Sequence, residues 1–343
     1  VSQLQADLVD RARKRLGTTL RRGKYIIERL LGVGAMGAVF AAQHRNGSRV
    51  AIKILHNELS RVEEVKQRFL REGYFANRVR HPGIVRVIDD DIDDDGSTYL
   101  VMELLEGLTL AQLWESAGRQ IQLMRVGAIL DGMLDVLAAI HAEGIVHRDI
   151  KPDNVFLTPD SLKLLDLGIA RLLEEHMRLT ASGQMMGTPE FVAPEQAAGR
   201  PRDIDARTDI YSVGATAFTL LTGRYVHEGR GAMETMVFAA TRPARSLFEV
   251  WPHAPPLVAN VVDVALSFDK EKRWPSASAM RTAMHTALAG YGPLDPSSAR
   301  APATVPKQEA PVQALAGTLI QGAPPSSDAE PILLLKPTRK GPG

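Results

Sequence analysis

The sequence predicts an α+β chain of two lobes: a small, mostly antiparallel β-rich lobe carrying one main helix, then a larger α-helical lobe. Three observations carry this expectation. Short alternating runs joined by hairpin and turn signals fill the chain up to Glu103. Beyond Gly107 apolar residues recur at helical spacing over long stretches. From Gly292 onward Pro, Ala, Gly and Ser dominate and no aromatic residue remains. The expected layout is a lead-in over 1–24, a first lobe over 25–103, a second over 107–289, and a disordered tail or linker over 290–343.

In chain order, residues 25–40 alternate apolar and polar and then become glycine-rich. Strands are expected over 38–43 and 49–55, joined through Asn46-Gly47, whose positive-φ tolerance suits a tight hairpin. Residues 62–79 read as a helix with Val65, Phe69, Glu72 and Ala76 on one face. A carboxylate in line with that apolar stripe is out of place unless something pairs with it. Strands over 85–88 and 98–103 are expected around an acidic turn. In the second lobe, residues 123–142 repeat apolar positions at Ile129, Met133, Leu137 and Ile140. Asp209 is placed to cap a buried helix that runs through Leu221 and ends at Gly223. Two further helices are expected over 258–266 and 277–288.

Size and composition exclude several classes. The 343 residues allow two lobes with a substantial core. A formal charge of +1 gives no reason to expect nucleic acid or an acidic membrane as a partner. With no cysteine there is no disulfide, thiolate metal site or cysteine nucleophile. No segment reaches the roughly 18 apolar residues that span a bilayer, and the amino terminus lacks a signal peptide's apolar stretch. A cytoplasmic protein is expected, with residues 1–24 a solvated amphipathic lead-in.

The chemistry is concentrated in His147-Arg148-Asp149-Ile150-Lys151-Pro152-Asp153-Asn154 and in Asp166-Leu167-Gly168. These supply a base, a cation and two hard oxygen ligands, the set that phosphoryl transfer from a magnesium-nucleotide to a hydroxyl requires. Asp149 is the candidate base; Asn154 and Asp166 are the candidate Mg²⁺ ligands; Lys151 can stabilise the transferred charge. His147 reads as a packing residue of this loop, and Arg148 as a phosphate receptor.

Upstream, Gly32-Val33-Gly34-Ala35-Met36-Gly37-Ala38-Val39 is a G-x-G-x-x-G-x-V loop, whose glycines let backbone amides approach phosphate. Dinucleotide-binding folds use a similar loop, but they follow it with a helix and an acid, whereas here a hairpin and Ile52-Lys53 follow. Lys53, in Val50-Ala51-Ile52-Lys53, is a candidate cation for the α/β-phosphates, held by the carboxylate of Glu72. The acidic run Asp89-Asp90-Asp91-Ile92-Asp93-Asp94-Asp95-Gly96 imitates a calcium loop, but position 12 falls on Met102, so a solvated, self-repelling turn is expected. The nine histidines show no zinc spacing, and no Gly-x-Ser-x-Gly elbow occurs.

In combination and order, these motifs resemble a bacterial protein kinase of the eukaryotic-like (Hanks-type) serine/threonine class over residues 25–288. The resemblance implies the bilobal protein kinase fold, with ATP and Mg²⁺ (Mn²⁺ as a possible substitute) bound between the lobes. It implies that Met102 guards the back of the nucleotide pocket and that the backbones of Glu103 and Leu105 meet adenine. Val39 and Ala51 would cover the base, with Leu157 or neighbouring Phe156 below it. An activation segment would run from Asp166 to Ala193-Pro194-Glu195, with Gly187-Thr188-Pro189-Glu190-Phe191 as its peptide-docking end. Thr188 would bridge Asp149 and Lys151; Asp209 would support the catalytic loop; Arg273 would pair with Glu195. The implied partners are proteins with Ser or Thr acceptors, and a second copy phosphorylating Thr180 or Ser182 in trans. Leu167 departs from the usual phenylalanine, which touches switching rather than the metal ligand. A nucleotide-binding pseudokinase and a small-molecule phosphotransferase are the alternative readings.

Overall fold

The computed structural model describes residues 3–34, 36–166 and 188–302. The first lobe is a six-stranded antiparallel sheet ordered β1-β2-β3-β4-β6-β5. Its strands are β1 (Thr19–Leu20), β2 (Tyr25–Val33), β3 (Gly37–His44), β4 (Arg49–Leu55), β5 (Val87–Ile92) and β6 (Thr98–Glu103). The Asn46-Gly47 hairpin forms as expected, with Gly47 at φ 88° and Asn46 Oδ1 accepting from the Ser48 backbone N–H at 2.9 Å. Period-two alternation divides the sheet's faces. Ala38, Phe40, Ile52 and Ile54 enter an upper core, whereas Val39, Ala41 and Ala51 line the underside. Helix α3 (Glu63–Arg78) matches its expected span to within a residue and buries Val65 and Phe69 against Leu55 and Leu100. Helices α1 (Gln3–Arg13) and α2 (Asn57–Ser60) complete the lobe.

Two expectations fail here for one reason. The strand expected over 85–88 lies at Val87–Ile92, so Asp89, Asp90 and Asp91 belong to a strand and not to a self-repelling turn. The expected solvated lead-in is docked. Arg21 makes a bidentate pair with Asp91 at 2.5 and 2.6 Å, Lys24 reaches Asp89 at 2.9 Å, and Arg15 reaches Asp95 at 3.0 Å. Neutralisation by these cations is what lets an acidic run form the edge strand. β1 and β5 are opposite edges of the sheet, so the contacts also show that it curls far enough for the edges to approach.

The second lobe is helical: α4 (Leu110–Ser116), α5 (Leu123–Ala142), α6 (Pro194–Ala197), α7 (Ala206–Thr222), α8 (Ala232–Thr241), α9 (Leu247–Val250), α10 (Pro256–Ala265) and α11 (Ala277–Leu288). A small sheet, β7 (Leu108–Thr109), β8 (Val155–Leu157) and β9 (Leu162–Leu164), faces the first lobe. Residues Thr208 to Leu221 of α7 are buried throughout, and α5, α10 and α11 pack around it. Its cap is Asp205, not Asp209: the Asp205 carboxylate accepts from the Arg207 N–H at 2.9 Å, one turn earlier than expected. Gly223 ends the helix at φ 73°, a left-handed conformation that favours glycine. The expected linker begins with an ordered stretch: residues 296–299 form a short 3-10 helix, and Arg125 donates to the Ser298 carbonyl at 3.1 Å. Among the described residues no helix is long and apolar enough to cross a membrane.

A buried ion pair ties α6 to the loop before α11. Arg273 donates to both carboxylate oxygens of Glu195 at 2.9 and 2.8 Å, and the Thr208 hydroxyl adds a third bond at 2.7 Å. Burial pushes the Glu195 carboxyl up, but Arg273 and Thr208 outweigh it and leave the group below its ordinary value. Arg273→Met strands that carboxylate, and we expect a loss of about 3–5 kcal/mol at neutral pH, read from urea midpoints. A depressed carboxyl contributes stability above the unfolded pKa of about 4.3 and loses it as pH falls through the folded value. The gap between variant and parent therefore narrows toward acid. A gap below about 1 kcal/mol at neutral pH would show the pair to be dispensable.

Candidate active site

The site lies where the underside of the first sheet faces β8, β9 and the loop after α5. Its roof is the β2–β3 turn, in which Gly32 and Val33 pair with Val39 and Ala38, and the Gly34 N–H donates to the Gly37 carbonyl at 2.8 Å. Ala35 lies outside the described residues. Gly37 is required by space: a Cβ there would lie 2.1 Å from the Ile54 carbonyl oxygen. His56, which the sequence reading missed, braces this turn. Its Nε2 lies 2.8 Å from the Gly34 carbonyl, and its backbone N–H donates to Met36 O at 2.8 Å.

Lys53 lies opposite Val39 on β4 and is only 7% exposed, so it is not a snorkelling surface lysine. Its Nζ sits 2.7 Å from Asp166 Oδ1. Glu72 belongs to α3, but its side chain lies outside the described atoms, as do Leu167, Gly168, Thr180, Ser182 and Gly187. Behind Lys53, an apolar slot is lined by Leu31, Val39, Ala51, Met102, Leu105 and Leu165, with Glu103 at its edge. Met102 stands across from Ala51 in the sheet register, as a residue guarding the back of the slot must. Glu103 is held by two donors to its Oε1, the Arg86 N–H at 2.8 Å and Lys163 Nζ at 2.7 Å. Leu157 is not brought to the slot. Alternation along β8 turns it, with Val155, into the core of the second lobe, and the slot's lower wall is Leu165.

The loop from His147 to Asn154 is built on Asp209. This carboxylate is fully buried and accepts the His147 N–H at 2.8 Å and the Arg148 N–H at 2.7 Å, and lies 2.8 Å from His141 Nε2. Arg148 has φ 66°, which costs a residue with a Cβ on the order of 1 kcal/mol; the Asp209 cradle holds it there. Asp166 is likewise at φ 48°. His147 is fully buried; its Nε2 lies 3.0 Å from the Leu165 carbonyl and its Nδ1 accepts from the Asp149 N–H at 3.4 Å. Burial pushes its pKa down. A neutral ring protonated on Nε2 satisfies both contacts, so His147 is a positioning residue, as expected.

Asp149 itself receives Asn154 Nδ2 at 2.8 Å and lies 3.1 Å from Lys151 Nζ. Asn154 Nδ2 also donates to the Asp149 carbonyl. With its amino group committed to Asp149, Asn154 has its amide oxygen left to serve as a ligand atom. That oxygen and the Asp166 carboxylate are hard ligands of the kind Mg²⁺ takes beside water and phosphate oxygens, so the residues fit the ion. The bridge expected from Thr188 to Asp149 and Lys151 is not among the hydrogen bonds of the described residues; Thr188 instead leads into the 3-10 turn Pro189–Phe191. Sequence reading also missed the carboxylates Asp153 and Glu190. Burial raises both above their ordinary values against the pull of Lys151, and Glu190 Oε2 is buried without a hydrogen-bond partner.

Comparison with known proteins agrees with this geometry. A protein kinase domain family model matches residues 25–285. The serine/threonine-protein kinase Pkn1 of Myxococcus xanthus is 39% identical over 278 residues, covering 79% of this chain and 39% of that protein. PknA of Mycobacterium tuberculosis is 34% identical over 303 residues, covering 85% and 68%. The crystal structure of the M. tuberculosis PknI kinase domain matches with a TM-score of 0.61 at 28% identity, covering 79% of this chain and 98% of that one. The chain thus spans about two fifths of the length of Pkn1.

The Asp209 cradle is testable without any assay of turnover. Asp209→Ala removes a charged acceptor from two amides, each worth about 1.5–3 kcal/mol. Hydrogen exchange at His147 and Arg148 is expected to speed up roughly 10- to 100-fold, with α5 and α7 protected as before. Unchanged exchange at those two amides would remove Asp209 from this role.

Proposed function

The chain belongs to the protein kinase family, in its bacterial serine/threonine class, and from that premise we propose the following course for its reaction and control. ATP enters the slot between Ala51 and Leu165 with its phosphates under the Gly34–Gly37 turn, and Lys53, with Glu72 as its carboxylate partner, contacts the α- and β-phosphates. Mg²⁺, held by Asn154 and Asp166, would supply charge neutralisation at the phosphates, and Mn²⁺ has the same ligand preference. Asp149 accepts the proton of a Ser or Thr hydroxyl as that oxygen bonds to the γ-phosphorus. The bond from phosphorus to the bridging oxygen breaks and ADP leaves. Lys151 balances the charge of the transferred group.

The observation that carries this reading is the fixed orientation of Asp149. Asn154 and Lys151 hold one carboxylate oxygen, and the backbone behind it is pinned by Asp209. A general base needs that kind of placement more than it needs a shifted pKa.

Control is proposed to act through Thr180 or Ser182, phosphorylated in trans by a second copy in the cytoplasm. The phosphate would pair with Arg148, which lies next to Asp149. This would place the chain in a signalling role, with its protein substrates set by partners still to be found.

Purified chain with Mg-ATP is expected to phosphorylate itself and a basic protein on Ser or Thr. Mass spectrometry should find phosphate at Thr180 or Ser182. Asp149→Asn should cut transfer by about 10²–10⁴-fold while nucleotide binding persists. A wild type that binds nucleotide yet transfers nothing supports the pseudokinase reading, and transfer confined to small alcohols supports the small-molecule one.

A further inference from the structure

A second cavity, of about 320 Å³, lies on the opposite face of the sheet from the nucleotide slot. That volume falls at the lower end of small-ligand pockets, roughly 300–1,000 Å³. Its floor is apolar: Ala38 and Phe40 on β3, Ile54 on β4, and Ala12 of α1. Its rim is cationic, formed by Arg11, Lys14 and Arg15, with Glu58 the one carboxylate among the lining residues. Arg11 is already paired with Glu58 at 2.6 Å. Arg15 donates to Asn57, Asp95 and Ser97. Lys14 forms no ion pair among the described residues and leaves the rim with a cation to offer.

The wall between this cavity and the phosphate roof is His56. Burial pushes its pKa below the ordinary histidine value, so the ring is neutral and carries its proton on the Nε2 that donates to Gly34 O. The floor is coupled to the site more directly still. Ala38 and Ile54 point up from the same two strands whose Val39 and Ala51 point down into the slot, and Lys53 lies between Ile52 and Ile54. A molecule wedged against the upper face therefore bears on the strands that carry both the adenine ceiling and the phosphate-binding lysine.

We propose that this cavity binds a small anionic molecule with an apolar body, and that occupancy is transmitted through His56 and strands β3 and β4 to the nucleotide site. The apolar floor takes the body of the ligand, and Lys14 takes a carboxylate or phosphate. Linkage makes the effect mutual: whatever the ligand does to nucleotide affinity, nucleotide does to ligand affinity. The binding site stands independently of the reaction proposed above; only the transmission refers to it.

The test is calorimetric titration of the full chain with phenyl phosphate, phenylacetate and uncharged 2-phenylethanol, with and without saturating ADP. At least one anion is expected to bind about 10-fold or more tightly than the alcohol, with the phosphate and carboxylate arms identifying the preferred head group. Binding should survive saturation of the cleft with ADP, and Lys14→Glu, a change on an exposed side chain, should reduce it to the level of the alcohol. ADP affinity should shift by about 5-fold or more when the anion is bound, and this shift should disappear in His56→Phe. Displacement of the anion by ADP, equal affinity for the alcohol, or indifference to Lys14→Glu would overturn the site. An ADP affinity that does not move with the anion bound would overturn the transmission. None of these readings needs phosphoryl transfer, so a failed transfer assay leaves the test intact.

Discussion

A single buried carboxylate, that of Asp209, fixes the geometry on which the chemistry depends. It has no exposure to solvent, so its charge must be met inside the protein, and two backbone N–H groups and His141 meet it. The cost of leaving that charge unmatched is what holds Arg148 in a left-handed conformation that its own side chain disfavours. The turn so produced sets the direction of the next residue, Asp149, which Asn154 and Lys151 then clamp. Helix α7 carries Asp209, so the position of Asp149 is referred to the most deeply buried helix of the second lobe and not to a loop.

The same economy of parts appears across the sheet. Strand β4 contributes Ala51 and Lys53 to the nucleotide face and Ile52 and Ile54 to the upper core. Neither face can be moved alone, because strand alternation makes one backbone serve both. Gly37 shows how closely these strands fit at the roof, where the backbone of Ile54 leaves no space for a methyl group.

Much of this was legible in the sequence, and the failures have physical causes. The spans of α5 and α11, the Asn46-Gly47 hairpin and the Gly223 stop were readable because periodicity and local turn chemistry determine them. Asp149, Lys151 and Asn154 were picked out together because one short loop carries them, whereas Asp166 lies beyond β8 and β9 and is brought to Lys53 by the fold. The acidic strand at Val87–Ile92 was misread because its partners, Arg21 and Lys24, are distant in sequence and only the curled sheet brings them near. Of the two readings of Asp209, the cap failed because Asp205 takes that place, whereas the support of the loop at His147 and Arg148, implied by the resemblance, is what the carboxylate does. Of the two residues expected below the base, Leu157 or Phe156, Leu157 faces the core of the second lobe, because neighbours on a strand point to opposite faces and periodicity alone left the two open. His56 carried no motif at all and became visible only beside Gly34.

The charged strap of the first lobe has a consequence in time. Arg21 and Asp91 are separated by 70 positions, Arg15 and Asp95 by 80, and Arg15 and Ser97 by 82. A growing chain delivers the basic half of these pairs long before the acidic half. Until β5 and β6 have emerged, Arg15, Arg21 and Lys24 lack their acidic partners, and Leu8, Val9 and Ala12 of the preceding helix lack their complete apolar bed. Local hairpins close early, and contacts of high sequence separation form late. Closure of the strap therefore marks completion of the lobe: the basic segment, made before its acidic partners, is among the last to find its place.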